Sequence, residues 1–144
     1  MFYGEYEHTL DDKSRVTLPA RFRDELEGSV VIAKGLDANL DVYPQATWRT
    51  SVEGRLAELD PFSSEARRLK RFFFPGASVV EADKQGRVLI PPALVRHAGL
   101  GKDVIVIGVH DHLEIWNRET WTEHLHAVEG SADDVAERLA EKRG

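Results

Sequence analysis

The sequence contains no cysteine, which excludes a disulfide framework, a thiolate metal site and a cysteine nucleophile together, and fits a reducing cytoplasm. It has no run of eighteen apolar residues, so no segment is expected to span a bilayer and no membrane partner is expected. The opening Met1-Phe2-Tyr3-Gly4-Glu5-Tyr6-Glu7 lacks a basic end followed by an apolar stretch, so it does not read as a secretory signal, and the mature chain is expected to begin near Met1. G-x-S-x-G, G-x-x-x-x-G-K-[ST], G-x-G-x-x-G and H-E-x-x-H are all missing. Glu81 and Asp83 are close in sequence, but no acid-rich cleft or nucleophile–base arrangement accompanies them, so no enzyme is expected. Positive charge is also short. The formal net charge of -6 counts against a simple nucleic-acid binder, because phosphate binding relies on clustered Lys and Arg releasing counterions.

The bases that are present fall in islands. Lys13, Arg15, Arg21 and Arg23 face only Asp11 and Asp12 in their stretch, and Arg67, Arg68, Lys70 and Arg71 follow a single Glu65. A chain of 144 residues, 42% of them hydrophobic, can bury one good core, and leaves room for two fused half-size units.

An internal echo favours the second possibility. Asp11-Asp12-Lys13-Ser14-Arg15-Val16-Thr17-Leu18-Pro19 is matched by Asp83-Lys84-Gln85-Gly86-Arg87-Val88-Leu89-Ile90-Pro91 at a shift of 72, with Asp, Arg, Val and Pro coinciding. Leu40-Asp41-Val42-Tyr43 with Thr47-Trp48 is matched by Leu113-Glu114-Ile115-Trp116 with Thr120-Trp121 at a shift of 73. Two separated matches in one order indicate a duplication with one residue inserted in a loop; two copies are too few for a solenoid.

Each copy reads alike. Tyr6, His8 and Leu10 alternate with Glu5, Glu7 and Thr9, the period of a half-buried strand. Beyond the turn, Val16 and Leu18 should face the core and Arg15 and Thr17 away from it. Val79 to Ala82 leads into Asp83-Lys84-Gln85-Gly86, where Asp can bind turn amides and Gly tolerates positive φ, so both turns read as hairpins. Pro19 and Pro91-Pro92 should then open short helices, from about Pro19 to Leu26 and from Pro92 to Ala98, with Gly99 as a stop. Val30 to Ala33 and Val104 to Val109 read as buried strands. Leu40 to Tyr43 and Leu113 to Trp116 complete second hairpins, with Asp37-Ala38-Asn39 and His110-Asp111-His112 at the turns. The unit is β-β-α-β-β followed by a helix. Thr47 to Leu59 should form one such helix, carrying Trp48, Val52, Leu56 and Leu59, and Pro61 should end it. Ser63/Ser64 should cap a basic helix from about Glu65 to Phe73, with Leu69, Phe72 and Phe73 on the barrel. Ser131 to Lys142 is either a surface helix or a frayed tail.

Asp11 with Arg15 and Asp83 with Arg87 are the sharpest chemical features. One reading has Asp holding the turn while Arg closes a surface ion pair of about 0–1 kcal/mol. The other has each Arg projecting toward DNA, where its planar fork suits guanine O6 and N7 or a phosphate. The two are compatible. The Arg67–Arg71 run is either a solvated face or a phosphate-contacting patch. His110 and His112 flank Asp111, and His124 and His126 are two apart, on different sides of a helix; neither spacing predicts a metal site, and no cofactor is expected. Trp48, Trp116 and Trp121 sit in apolar patterns without basic interleaving, as core or interface aromatics do.

Met1-Phe2, Gly4, Leu10-Asp11-Asp12-Lys13-Ser14-Arg15, Leu18-Pro19, Phe22-Arg23, Phe72 to Ala77, Asp83 to Pro91 and Leu113-Glu114-Ile115-Trp116 together resemble the MraZ family, with coverage from Met1 to about Leu125. The resemblance implies a mainly β (α+β) fold of two tandem AbrB-like swapped-hairpin β-barrel units forming a pseudo-dimer with peripheral helices. It further implies a homo-oligomeric ring that binds double-stranded DNA at promoter repeats near cell-wall and cell-division genes, in the cytoplasm and at the nucleoid. The expected units are residues 1–60, a basic connecting helix over 61–76, a second unit over 77–126, and a polar helix or tail over 127–144. On this reading Lys13, Arg15, Lys84 and Arg87 contact DNA, while Asp11, Asp83 and Gly86 build the turns. Ser14 stands where the family usually has glycine, so a positive φ there would carry strain. The competing reading is an antitoxin-like oligomeric scaffold whose turns contact another protein without reading DNA.

Overall fold

The computed structural model describes residues 1–26 and 28–143. Copy one contributes strands β1 (Glu5–Thr9), β2 (Arg15–Thr17), β3 (Ser29–Lys34) and β4 (Asn39–Pro44); copy two contributes β5 (Ser78–Glu81), β6 (Arg87–Leu89), β7 (Asp103–Gly108) and β8 (Leu113–Asn117). After β2 the chain makes a 3-10 turn at Ala20–Phe22 and a short helix α1 (Arg23–Leu26); after β6 it makes α5 (Pro92–His97). The prolines expected to open these helices do so: Pro19 and Pro91 hold extended backbone at the caps, and Gly99 ends α5 region at φ 57°.

The tip turns, expected as hairpins, do not join strands that pair with each other. Both turns close, through Asp11 N–H to Arg15 O and Asp83 N–H to Arg87 O, at 2.9 Å each. Their flanking strands then diverge to partners in the other copy. β1 pairs antiparallel with β7, β5 pairs with β3, and β2 pairs with β6. Only the second hairpins, β3–β4 and β7–β8, pair within their own copy, as expected. The result is a six-stranded sheet in the order β1-β7-β8-β4-β3-β5, with a separate two-stranded β2–β6 ribbon. The order is a palindrome about the β4–β8 seam, each copy lending its first strand to the other, and this exchange is what a swapped-hairpin pseudo-dimer means.

The alternation of the strands decides what is buried. Val16, Leu18, Phe22, Val88, Ile90 and Leu94 from the ribbon and its helices meet Val30, Ile32, Leu40, Val42, Val104, Val106, Leu113 and Ile115 from the sheet in one shared core. Full burial of such a side chain contributes about 1.5–3 kcal/mol, and since both copies supply the residues, neither half has a core of its own. The opposite sheet face carries two smaller clusters, Val31, Ala33, Tyr43 and Trp48 in one copy and Ile105, Ile107 and Trp116 with Trp121 in the other. The tryptophans are thus packing residues, as their apolar surroundings in the sequence suggest.

Three helical expectations shift in detail. Thr47 to Leu59 is not one regular helix: α2 (Gln45–Trp48) and α3 (Gly54–Ala57) are joined by wider π-type turns over Arg49–Glu53, where the Thr50 hydroxyl donates back to Ala46 O and Thr47 O. The basic helix α4 (Ser64–Phe73) has Ser63 as its N-cap, accepting from Ala66 N–H at 3.3 Å. Its buried contact is Ala66, whereas Leu69 is exposed rather than seated on the barrel. The polar C-terminal stretch continues from the preceding helix without a break, as a 26-residue α6 (Arg118–Arg143).

At the seam, β4 and β8 set Asp41 directly opposite Glu114. His112 lies between these carboxylates. Burial pushes the Asp41 carboxyl up to about 6. Burial alone would lower His112, but the carboxylates of Glu114 and Asp111 outweigh it and hold the imidazole up at about 9.

Candidate nucleic-acid interface

The two Asp-x-x-x-Arg turns have the same geometry built from different residues. Asp11 Oδ1 accepts the amides of Lys13 and Arg15 at 2.9 and 2.8 Å, and its Oδ2 accepts Arg15 Nε–H at 2.8 Å. Asp83 Oδ1 accepts the amides of Gln85 and Arg87, both at 2.9 Å, and its Oδ2 accepts Arg87 Nε–H at 2.8 Å. The amide bonds from Arg15 and Arg87 and the guanidinium bonds beside them hold both carboxyls below the usual carboxylate range. In each turn one carboxylate thus gathers two backbone amides and one guanidinium.

Each turn needs one residue in the left-handed region. Gly86 takes φ 78°, which glycine adopts without strain, and a Cβ there would displace the Arg23 guanidinium as well. Ser14 takes φ 58° in the matching place, the positive φ that its side chain makes costly. The carbonyls of these two residues lock the copies together: Ile90 N–H donates to Ser14 O at 2.8 Å and Leu18 N–H to Gly86 O at 2.9 Å.

The ribbon register then decides where the arginines lie. Val16 pairs with Val88, and both are fully buried, so alternation places Arg15, Thr17, Arg87 and Leu89 on the other face. Arg15 is opposite Leu89 and Arg87 opposite Thr17, which makes the arginines a diagonal cross-strand pair about 7–8 Å apart. They are not free-standing. Each is half-buried along its own turn, with Nε committed to aspartate and, among the described residues, no partner at its terminal nitrogens. Lys13 and Lys84 are exposed at the tips but occupy unmatched positions, since Lys13 corresponds to Gln85 and Lys84 to Asp12. Leu89 is 55% exposed on the same face as the arginines, a position that no motif in the sequence marks as functional. The basic helix α4 packs chiefly against α3 and β3, not the ribbon.

Exchanged strands, a shared core and paired Asp–Arg turns define a fused, two-copy member of the AbrB-like swapped-hairpin class. A family model described as "MraZ protein, putative antitoxin-like" matches the chain twice, over residues 1–72 and 73–143. The transcriptional regulator MraZ of Heliobacterium modesticaldum is 45% identical over 139 residues, 96% of each chain. Those of Moorella thermoacetica and Caldanaerobacter subterraneus subsp. tengcongensis are 45% and 46% identical, covering 98% and 96% of each chain. The chain belongs to the MraZ family, whose members named here are transcriptional regulators. Among the described residues no helix is long and apolar enough to cross a membrane.

Proposed function

We propose that this protein regulates transcription by binding duplex DNA through the β2–β6 ribbon. Arg15 and Arg87 read base edges, and Lys13 and Lys84 hold phosphates. The observation that carries this reading is the placement of two equivalent arginines on the outer face of one two-stranded ribbon, above a fully buried Val16–Val88 pair. A major groove admits a two-stranded ribbon, and a guanidinium fork matches guanine O6 and N7. The aspartates orient each fork through Nε and leave its terminal nitrogens as donors.

A ribbon of this size on a chain of net charge -6 binds weakly by itself. Repeated engagement compensates: subunits of a homo-oligomeric ring meet promoter repeats at high effective concentration, and a cell-wall and cell-division gene cluster is the proposed target. Such a protein works in the cytoplasm at the nucleoid. The test is titration of labelled DNA from upstream of the protein's own gene against wild type and Arg15→Ala, with oligomer mass followed by light scattering. Arg15→Ala should keep its fold and mass while specific binding weakens by about 1–3 kcal/mol; unchanged affinity would reject the assignment.

The acidic net charge favours a second reading, an antitoxin-like scaffold whose tips contact protein. Partner binding insensitive to salt, with no DNA retention, would select it.

A further inference from the structure

The β4–β8 seam holds a set of side chains that DNA recognition leaves unused. We propose that Asp41, His112 and Glu114 form a binding site for one divalent transition-metal cation, with Zn2+ the best-matched ion, that ties copy one to copy two.

One donor atom from each of the three residues lies within 4.8 Å of the other two. His112 Nε2 is 3.6 Å from Asp41 Oδ1 and 3.5 Å from Glu114 Oε2. Two ligands bound tetrahedrally at zinc–ligand distances of about 2.0–2.2 Å are about 3.4 Å apart, so both His112–carboxylate separations are already close to those of a coordination shell. One imidazole and two carboxylates are the donors that zinc accepts, and three protein ligands leave a fourth position for water.

The surroundings orient the ligands as outer partners do in metal sites. His112 Nδ1 is 2.7 Å from Asp111 Oδ1, which leaves Nε2, facing Asp41 and Glu114, as the nitrogen a metal takes by displacing its proton to solvent. The Tyr43 ring stacks on the imidazole at 4.5 Å between centroids and 15° between planes, fixing its plane. Trp116 Nε1–H donates to Glu114 Oε1 at 2.8 Å, leaving Oε2 toward His112, and Asn39 Nδ2–H steadies Asp41 Oδ1 at 2.9 Å. The three ligand side chains are only 13–20% exposed, shielded yet reachable from solvent.

Charge points the same way. Asp41 and Glu114 are direct cross-strand partners, an arrangement that like charges oppose. Among the described residues both have their ion pair with the same His112, which also serves Asp111. One imidazole faces three carboxylates, and a dication restores the balance. Histidine spacing in the sequence could not reveal this set, because Asp41 comes from the other copy.

The experiment uses the full chain, freed of metal with a chelator that is then removed, and titrated calorimetrically with ZnCl2 and separately with MgCl2. Wild type should bind one zinc per chain and unfold at a higher temperature with zinc present, while Mg2+, which prefers six oxygen ligands, produces neither effect. His112→Gln should lose that equivalent and the thermal shift, and Asp111→Asn should weaken zinc about 10- to 100-fold. Circular dichroism verifies that the variants fold. Should His112→Gln fail to fold, Co2+ added to wild type decides: one equivalent must give the intense visible bands of a tetrahedral site. Absent bands, no zinc binding by wild type, or equal zinc binding by folded His112→Gln each overturn the proposal.

Discussion

The first tip turn and the second make the same hydrogen bonds, yet one places Ser14 at φ 58° where the other places Gly86 at φ 78°. Their lysines differ as well, one at the third position of the first turn and one at the second position of the second. What the two turns share is Asp, Arg and the buried valine behind them. The difference teaches that the Asp–Arg frame with its inward Val16 or Val88 specifies the turn, and that the left-handed residue and the tip charges are adjustable around it. A feature retained in both copies belongs to the common frame; a feature present in one tunes that copy.

The strongest challenge to this equivalence is in the core. Leu18→Ala and Ile90→Ala, at matched and nearly fully buried positions, should each cost about 2–5 kcal/mol in urea unfolding. Because the core is shared, either change should move a single transition; two separable transitions would show the halves folding independently. Next come the arginines. Arg15→Ala and Arg87→Ala should each weaken specific DNA binding by about 1–3 kcal/mol, measured by fluorescence anisotropy, and a large inequality would mean that one turn faces DNA and the other does not. The turns themselves sharpen the contrast: Gly86→Ala should destabilise by about 1–2 kcal/mol, with Arg23 displaced in addition, whereas Ser14→Gly should be neutral or stabilising by up to about 1 kcal/mol. Smallest of all, Lys13→Ala and Lys84→Ala should each lower the salt dependence of binding by about one phosphate's worth, uniformly across sequences.

Local chemistry made local structure legible. Pro19 and Pro92 start helices because their φ is preset, Ser63 caps α4 because its hydroxyl reaches the Ala66 amide, and Val16 and Leu18 are inside because strand alternation leaves them no other face. Partner choice was less accessible. Asp83-Lys84-Gln85-Gly86 dictates that the chain reverses, but it does not say that β5 goes on to β3 or β6 to β2. That outcome depends on surfaces brought together from distant residues. The same limit hid the ribbon: Arg15 and Arg87 are recognisable as a repeated pair, while their diagonal apposition and the exposed Leu89 beside them exist only after β2 and β6 meet. Helix continuity through Gly130 was hidden differently, since a polar surface segment has too little apolar periodicity to distinguish a helix from a tail.

The strand exchange also sets a timetable for synthesis. β1 leaves the ribosome early, but its Glu5 pairs with Ile107, and β3 receives its outer neighbour only when β5 has emerged. The amino-terminal half must therefore wait, with strand edges open, until most of the chain has been made. During that interval the open edge of a nascent β3 is exposed to β5 of a neighbouring chain, so crowded translation of this message carries a built-in risk of intertwined chains. Slow refolding, with yield falling as protein concentration rises, is the signature to expect.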